Sequence, residues 1–298
     1  MPSVESPPPR HTALRAVDWL LLTYLGVVSL VAAARVSTQP ECWWLLGAHA
    51  LFGIFLVFVT RPGLGVVGQT FRELYPVFLL PALYSELDIL NAVSIPVHDR
   101  LVQHWELLLF GMQVSREWWQ RAPSGFWSSV LHTAYLSYYL IISAPALYYA
   151  WRGDLQAVRQ FVLVVMSTFV LCYLVFLFFP VAGPYYTFPR PASWFIDNLP
   201  ARLVYQALAT GSSYGAAFPS SHVAAALAAT LTAGRFSRRL GLLLSVPTLL
   251  LTVGVVYCQM HYGVDALAGL AVGAVVALLV GKKSVSGHRV SGKASTRR

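Results

Sequence analysis

The chain has 298 residues, of which 57% are hydrophobic and only 11% are charged. Soluble proteins carry about 25% charged residues, so this composition excludes an ordinary soluble globular protein and indicates an integral membrane protein. The net charge of +9 is first a signal of orientation in the bilayer, and it does not indicate binding to nucleic acid.

Apolar runs long enough to cross a hydrocarbon core of ~30 Å predict membrane helices along most of the chain. A proline-rich lead over 1–16 precedes them and a basic, Ser-rich tail over 282–298 follows; both are expected to be disordered. The predicted fold is all-α, a polytopic membrane helical bundle within 17–281. Its eight spans are expected near 17–35, 43–60, 71–95, 126–150, 158–180, 219–234, 240–260 and 262–281.

Lysine and arginine are distributed unevenly between the two ends of these spans. With the N-terminus in the cytoplasm, 15 of the 21 basic residues fall on the cytoplasmic side and 6 on the other. Cytoplasmic loops carry the excess of basic residues, so both termini are expected in the cytoplasm, in a plasma membrane. The loop 181–218 then lies on the extracytoplasmic face, and the segment 99–121 is expected to be interfacial or re-entrant.

One polar motif at that face is formed by His261 and Asp265. Their spacing of four residues places both side chains on one face of a helix. A carboxylate there can accept a hydrogen bond from one imidazole nitrogen and leave the other nitrogen as a base or nucleophile. An ordinary helix start with Asp265 as a local cap explains the same spacing.

A second motif, Phe218-Pro219-Ser220-Ser221-His222, is typical of a helix N-terminus. Proline suits the first turn, and small hydroxyl residues suit the cap. Unpaired N–H groups at a helix start bind phosphate well, and the two serines add hydroxyl donors. A plain capped helix with a surface histidine is the alternative interpretation.

Together the two motifs favour phosphoryl transfer, because both are expected at the same membrane face. One histidine can attack phosphorus to give a phosphohistidine while the other protonates the leaving oxygen. A metal hydrolase that uses His222, His261 and Asp265 is a competing interpretation of the same residues.

The residues around the motifs resemble a known family. The segments AFPSSH (217–222) and YCQMHYGVDALAG (257–269) are similar to the second and third signature motifs of the type 2 phosphatidic acid phosphatase superfamily. The resemblance covers roughly 130–280, with weaker similarity upstream, and points to the branch that contains inositol phosphorylceramide synthases. It implies a six-helix phosphatase-like core over roughly 71–281, with the motifs inside 183–269.

By this resemblance His261 is the nucleophile, Asp265 orients it and His222 is the general acid. Ser220, Ser221 and nearby backbone N–H groups would hold the phosphate oxygens. No metal and no cofactor are implied, because the family relies on cationic side chains and hydrogen bonds to stabilise the transition state.

The chain departs from the family pattern at two cations. Gly183 stands where the first motif has lysine, although Arg190-Pro191 matches the end of that motif. Gly254 and Val255 stand where the third motif has serine and arginine. The synthase-like branch also lacks that arginine. Arg190 is the remaining candidate to bind phosphate, and an interfacial loop arginine is its alternative.

Three further polar residues in apolar runs are candidates to line a cavity. Glu86 lies inside a predicted span, and intramembrane acids usually face a cavity or a partner. Tyr135 and Tyr139 follow helical spacing on the fourth span, near His132. Aromatic residues at this spacing also occur as ordinary packing.

The predicted function is an integral membrane lipid-phosphate phosphatase or phosphotransferase that works through a phosphohistidine at the extracytoplasmic face. Its substrate is expected to be a lipid-linked phosphate ester in the bilayer. The acceptor is water in a phosphatase and an alcohol, such as inositol or another headgroup, in a transferase. A nonenzymatic transporter or scaffold that retains the fold is the alternative, because the two cations are missing.

Overall fold

The structure, a computed structural model, describes residues 14–91, 95–211 and 213–282. These residues are mostly helical and contain one isolated β-bridge. The first helices are α1 (Ala16–Arg35), α2 (Cys42–Val59), α3 (Val66–Phe78), α4 (Leu80–Leu90), α5 (Asp99–Phe110), α6 (Val114–Arg121), α7 (Gly125–Leu136) and α8 (Tyr138–Trp151). The others are α9 (Leu155–Phe178), α10 (Pro184–Thr187), α11 (Ser193–Ile196), α12 (Leu199–Gly211), α13 (Ser221–Phe236), α14 (Arg238–Tyr257) and α15 (Gly263–Lys282).

Within the described ranges, six helices are long and apolar enough to cross a membrane. They are α1, α2, the 27-residue run formed by α7 and α8, α9, α14 and α15. The predicted all-α polytopic helical bundle is therefore confirmed. The eight predicted spans are all largely helical, but six of them, not eight, reach this length and hydropathy.

The two remaining predicted spans are shorter for identifiable reasons. The run 71–95 is divided between α3 and α4 around Leu79. Pro81 has no N–H to donate to the preceding turn, and its ring crowds that turn. The run 219–234 forms α13, which has 16 residues and extends only about 24 Å, less than a ~30 Å hydrocarbon core.

Small residues let α13 and α15 pack closely. α13 contacts α8, α9, α14 and α15 and is rich in buried alanine. A Cβ at Gly269 would lie 2.6 Å from the carbonyl oxygen of Ser220, and one at Gly273 would collide with the backbone of Ala224. Such close approach is typical of small residues at membrane helix interfaces. It brings the start of α15 against the start of α13.

Two connecting segments cover this end of the bundle. The segment 181–218, expected as a loop, contains α10, α11 and α12. Proline begins α10 at Pro184, where its missing N–H costs no helical hydrogen bond. The segment 99–121 forms α5 and α6, which are separated at Gly111 with a φ of +69°, a conformation that glycine adopts readily.

Most of the predicted lead and tail lies outside the described residues, namely 1–13 and 283–298. α1 begins at Ala16, one residue before the predicted span. The backbone N–H of Arg15 donates to the carboxylate of Asp18 at 2.8 Å and caps this helix. The division into a lead (1–16), a membrane domain (17–281) and a tail (282–298) stays a prediction.

Candidate active site

His222 lies in the first turn of α13, among tyrosines of α7 and α8. Ser220 is the N-cap of the helix, and its hydroxyl accepts from the N–H of Val223 at 3.4 Å. The Nε2 atom of His222 shares a hydrogen bond of 3.1 Å with the hydroxyl of Tyr135. The imidazole stacks on the Tyr135 ring at 4.9 Å and packs against the Tyr138 ring at 4.5 Å between centroids.

His261 lies in the turn between α14 and α15, two residues before α15 begins. Its Nδ1 atom is 3.0 Å from the carbonyl oxygen of Ala217 and 3.4 Å from the carboxylate of Asp265. The same carboxylate oxygen accepts from the backbone N–H of Tyr262 at 2.9 Å. The predicted pairing of His261 with Asp265 is thus a contact across a helix start, with a backbone carbonyl as the closer partner.

These contacts define the tautomer of His261. Both groups that face Nδ1 are hydrogen-bond acceptors, so Nδ1 carries the proton and donates it to the Ala217 carbonyl. The Nε2 atom then holds the lone pair of the neutral imidazole. An imidazole in this form can act as a base or a nucleophile through Nε2.

The two imidazoles meet at one small cavity. Their ring centroids are 5.8 Å apart, and the rings are inclined by 57°. The cavity has a volume of about 40 Å³, which is more than the space that one buried water molecule needs. Among the described residues, the polar side chains of its lining are two histidines, four tyrosines and one serine: His222, His261, Tyr84, Tyr135, Tyr185, Tyr186 and Ser213.

Backbone hydrogen bonds join the segments that line the cavity. Val181 and Ala216 form the isolated parallel bridge. In it the N–H of Val181 donates to the carbonyl of Gly215 at 3.1 Å, and the N–H of Ala217 donates to the carbonyl of Val181 at 2.9 Å. The bridge therefore fixes the Ala217 carbonyl that holds His261.

Asp99 of α5 is a buried residue at the site that the sequence did not reveal. Its carboxylate accepts from the backbone N–H groups of Ala182 and Gly183 and from the hydroxyl of Tyr262, each at 2.8 Å. Burial and the neighbouring Asp99 charge raise the pKa of the Tyr262 phenol. Asp99 thereby ties the 181–183 segment to the residue beside His261.

The sequence also did not reveal Glu106 and Gln259, each of which makes a hydrogen bond to a residue far away in the chain. One oxygen of Glu106 accepts from the N–H groups of Ser115 at 3.0 Å and Gly263 at 3.3 Å. Burial raises the pKa of the Glu106 carboxyl. Gln259, at a φ of +60°, accepts from the indole N–H of Trp119 at 3.1 Å. Gly263 and Trp119 are 157 and 140 residues away from their partners, so these contacts have no local signature in the sequence.

The predicted phosphate-binding serines are both buried. Ser220 uses its hydroxyl as the helix cap, and its N–H donates to the carbonyl of Asp265 at 3.0 Å. Ser220 is fully buried, and Ser221 is 5% exposed. The Ser220–Asp265 hydrogen bond joins the two motifs directly.

Arg190 lies at the rim, outside the cavity lining. Its guanidinium is 5.7 Å from the centroid of the Tyr185 ring and 6.0 Å from that of Tyr205. It also donates to the Tyr185 hydroxyl at 3.3 Å. Tyr185 lines the cavity, so the Tyr185 side chain separates Arg190 from the cavity. Among the described residues, no lysine or arginine contributes to the lining.

The three residues predicted to line a cavity are in different places. Tyr135 lines it and contacts His222. Tyr139 is 58% exposed and is not part of the lining, because its place on α8 turns it away from the bundle. Glu86 pairs with His49 of α2 at 3.2 Å, away from the cavity. No group of three or more His, Cys, Asp and Glu suited to a metal ion occurs in the described part of the chain.

Comparison with known proteins places this site in a family. The model of the PAP2 superfamily matches residues 101–279, which include both histidines and more than half of the chain. A PA-phosphatase related-family protein of Dictyostelium discoideum is 25% identical over 168 residues, which are 49% of this chain and 30% of that relative. The chain thus spans less than a third of that relative's length, and no solved structure matches significantly. By the extent of the family match, the chain belongs to the PAP2 superfamily.

Proposed function

We propose that this protein is a membrane enzyme that transfers the phosphoryl group of a lipid phosphate through a phosphohistidine. The single observation that carries the proposal is the pair of imidazoles, 5.8 Å apart between ring centroids at one cavity. Membership of the PAP2 superfamily suggests a membrane phosphatase or phosphotransferase, and six apolar helices suit a substrate that resides in the bilayer.

His261 is the proposed nucleophile. The Ala217 carbonyl and the Asp265 carboxylate both face its Nδ1 atom, which leaves the Nε2 lone pair for attack on phosphorus. The N–P bond forms as the bond from phosphorus to the alcohol oxygen breaks. The positive charge that develops on the imidazole is stabilised by the Asp265 carboxylate.

His222 is the proposed general acid. The negative charge of a bound phosphate favours the imidazolium form of a neighbouring histidine. The departing alcohol oxygen takes the proton of His222, and the alcohol leaves. In the second step His222 removes a proton from the acceptor, whose oxygen attacks phosphorus and restores free His261.

The site is built without the two missing family cations. Gly183 has a φ of +92°, and a Cβ there would lie 2.8 Å from the Cβ of Ala217. Val255, which stands where the family has arginine, is fully buried, and a Cβ at its neighbour Gly254 would lie 3.0 Å from the carbonyl oxygen of Leu131 on α7. A lysine at position 183 or an arginine at position 255 would therefore require the surrounding residues to move. The lack of an arginine at position 255, which the synthase-like branch shares, supports a transferase whose acceptor is an alcohol such as inositol. In the alternative, a phosphatase, the acceptor is water.

The proposed location is the plasma membrane, with both termini in the cytoplasm and the active site outside. The distribution of lysine and arginine supports it. The proposed phosphatase-like core covers roughly 71–281, somewhat more than the matched residues 101–279.

The test is turnover of labelled lipid phosphates by the purified protein, with and without inositol. Wild type is compared with His261→Ala and His222→Ala, and with His104→Ala as a control for an exposed histidine outside the cavity. We expect at least about 100-fold loss in the two site variants and none in the control. Released phosphate identifies a phosphatase, and a new phosphorylated product with inositol identifies a transferase.

Two further measurements separate the alternatives. A covalent phosphate that is trapped in wild type and absent in His261→Ala supports the nucleophile. Loss of activity with a chelator would favour the metal hydrolase instead. Unchanged turnover in both histidine variants would contradict the mechanism, and a wild-type protein inactive on every lipid would favour a transporter or scaffold.

A further inference from the structure

Phenol hydroxyls form much of the polar wall of the cavity at the two histidines, where phosphate sites commonly have cationic side chains. Among the described residues, the lining includes four tyrosines and no lysine or arginine. The hydroxyl of Tyr135 already shares a hydrogen bond with His222. Two of the other tyrosines, Tyr84 and Tyr185, have a common arrangement that suits them to bind an anion.

Tyr84 is held in place by Ser213. The phenol oxygen of Tyr84 accepts a hydrogen bond from the backbone N–H of Ser213 at 3.2 Å. The Ser213 hydroxyl in turn donates to the backbone carbonyl of Tyr84 at 3.3 Å. Ser213 is 2% exposed and also lines the cavity, so the hydroxyl end of Tyr84 lies at the cavity wall. These two contacts fix the phenol and occupy its oxygen as an acceptor.

Tyr185 has the same arrangement with a charged donor. Its phenol oxygen accepts from the guanidinium of Arg190 at 3.3 Å, and that guanidinium lies 5.7 Å from the centroid of the Tyr185 ring. Tyr185 is part of the lining, whereas Arg190 is outside it. The positive charge of Arg190 therefore acts on the cavity through the phenol.

The two contacts leave both phenols as donors. A phenol whose oxygen accepts a hydrogen bond has its own O–H to donate. Within the described ranges, no protein acceptor receives the O–H of Tyr84 or Tyr185. A hydrogen bond received by the oxygen polarises the O–H and strengthens its donation. Both hydroxyls are thus prepared to donate to an anion in the cavity.

We propose that the hydroxyls of Tyr84 and Tyr185 bind the oxygens of the transferred phosphoryl group, in place of the two missing family cations. This inference rests on the proposed function. Hydrogen bonds from a hydroxyl to an anionic oxygen are short and roughly twice as strong as neutral ones. A neutral phenol also costs less to bury than a cation. Arg190 is then a positioning residue, which orients and polarises Tyr185 without contacting the phosphate.

The experiment measures the binding of labelled orthophosphate and the turnover of lipid phosphate separately, with the full-length protein in detergent. Wild type is compared with Tyr84→Phe and Tyr185→Phe, each of which removes one hydroxyl and keeps the ring. Tyr148→Phe is the matched control, because Tyr148 is 39% exposed and lies outside the lining. Thermal unfolding checks that each variant is folded. Tyr84→Phe leaves the N–H of Ser213 unpaired, so Tyr185→Phe carries the test if the first variant unfolds.

We expect Tyr84→Phe and Tyr185→Phe each to weaken orthophosphate binding by about tenfold, as suits one lost hydrogen bond to an anion. Turnover should fall by at least as much, and Tyr148→Phe should match wild type in both measurements. Binding equal to that of Tyr148→Phe in both variants, or no binding by wild type, would overturn the inference. Weaker binding by the two variants, combined with no turnover of any lipid by wild type, would support the anion site and contradict the proposed function.

A double-mutant cycle tests the role of Arg190. Arg190→Gln should weaken orthophosphate binding in wild type and add nothing in Tyr185→Phe, because its effect passes through the phenol. Arg190→Lys, which keeps the charge, is expected to retain part of the binding. Equal losses from Arg190→Gln in both backgrounds would show that Arg190 contacts phosphate directly and would overturn its role as a positioning residue.

Discussion

Among individual residues, Tyr135 has the contact that bears most directly on the chemistry. Its hydroxyl is 3.1 Å from the Nε2 atom of His222, and its ring stacks on the imidazole. In the proposed reaction His222 must present a proton to the leaving oxygen. The Tyr135 hydroxyl can accept a hydrogen bond from that N–H and hold the ring in place until the substrate arrives.

Tyr135→Phe removes the hydroxyl and keeps the ring. We expect kcat to fall about tenfold, the effect of one lost hydrogen bond, with little change in KM. The Tyr135 hydroxyl stabilises the charged imidazole of His222 because it accepts a hydrogen bond from the imidazole N–H. Its removal is expected to shift the loss of activity at high pH towards lower pH. The measurement is the pH dependence of kcat.

The matched control for this substitution is Tyr139→Phe. Tyr139 lies one helical turn further along and is 58% exposed. We expect the Tyr139→Phe substitution to leave both kcat and its pH dependence unchanged. Equal losses in the two variants, or a change confined to KM, would show that the Tyr135 hydroxyl does not position the acid.

Residue types at fixed spacing were enough to predict that His222, His261 and Asp265 belong together. The Ala217 carbonyl and Asp99 could not be predicted in this way. Every residue has a carbonyl, so the hydrogen bond from His261 to Ala217 leaves no mark in the sequence. The three hydrogen bonds to Asp99 join it to partners more than 80 residues away, and only the folded chain brings them into contact.

At the scale of elements, the contact between α13 and α15 positions both motifs. Its closest point is at Gly269, where a Cβ would lie 2.6 Å from the Ser220 carbonyl oxygen. The N–H of Ser220 donates to the Asp265 carbonyl at 3.0 Å across the same interface. Any increase in the spacing of these helices therefore acts on the histidine pair.

Gly269→Ala is expected to lower the stability by about 1–3 kcal/mol, the usual range for overpacking, and to lower activity as well. Gly26→Ala is the control, because its Cβ would meet nothing within 4 Å. It should be neutral or stabilise α1 by up to about 1 kcal/mol. Thermal unfolding in detergent, together with turnover, checks both. Equal behaviour of the two variants would contradict the importance of this interface.

Hydropathy predicted the long apolar helices well because their composition alone determines whether they can reside in lipid. It was less reliable where proline and tertiary packing decide the outcome. Pro81 contributes to the division of the run 71–95. The predicted span 219–234 forms α13, which begins after its cap Ser220 and has 16 residues, as many as the prediction gave it. The segment 181–218 looked like a loop because of its Pro and Gly content, yet it contains α12.

In the whole molecule, α9 separates two polar ends of different character. One end has the histidine pair and a cavity whose described lining has no lysine or arginine. The other end has a cavity lined by Arg15, Arg61, Arg72 and Arg159. This polarity agrees in direction with the asymmetry of basic residues along the chain. It makes the orientation testable with single cysteines, because the three native cysteines are buried.

Arg152→Cys and Arg202→Cys place an exposed thiol beyond opposite ends of α9. In intact cells a membrane-impermeant maleimide is expected to label Arg202→Cys at once. Arg152→Cys should be labelled only after permeabilisation, because the basic side stays in the cytoplasm. The reverse pattern would contradict the proposed orientation, and equal labelling of both would contradict their placement on opposite faces.

Two main-chain carbonyls join the motifs. The Ala217 carbonyl accepts a hydrogen bond from His261. The Asp265 carbonyl accepts one from the N–H of Ser220, at the start of the helix that carries His222. Side-chain substitution cannot delete a carbonyl. Substitution of Tyr84 or Tyr185, which line the cavity and are hydrogen-bonded to Ser213 and Arg190 rather than to either imidazole, should therefore leave the spacing of the imidazoles unchanged. In this chain, new specificity should be far easier to select than a new arrangement of the reacting groups.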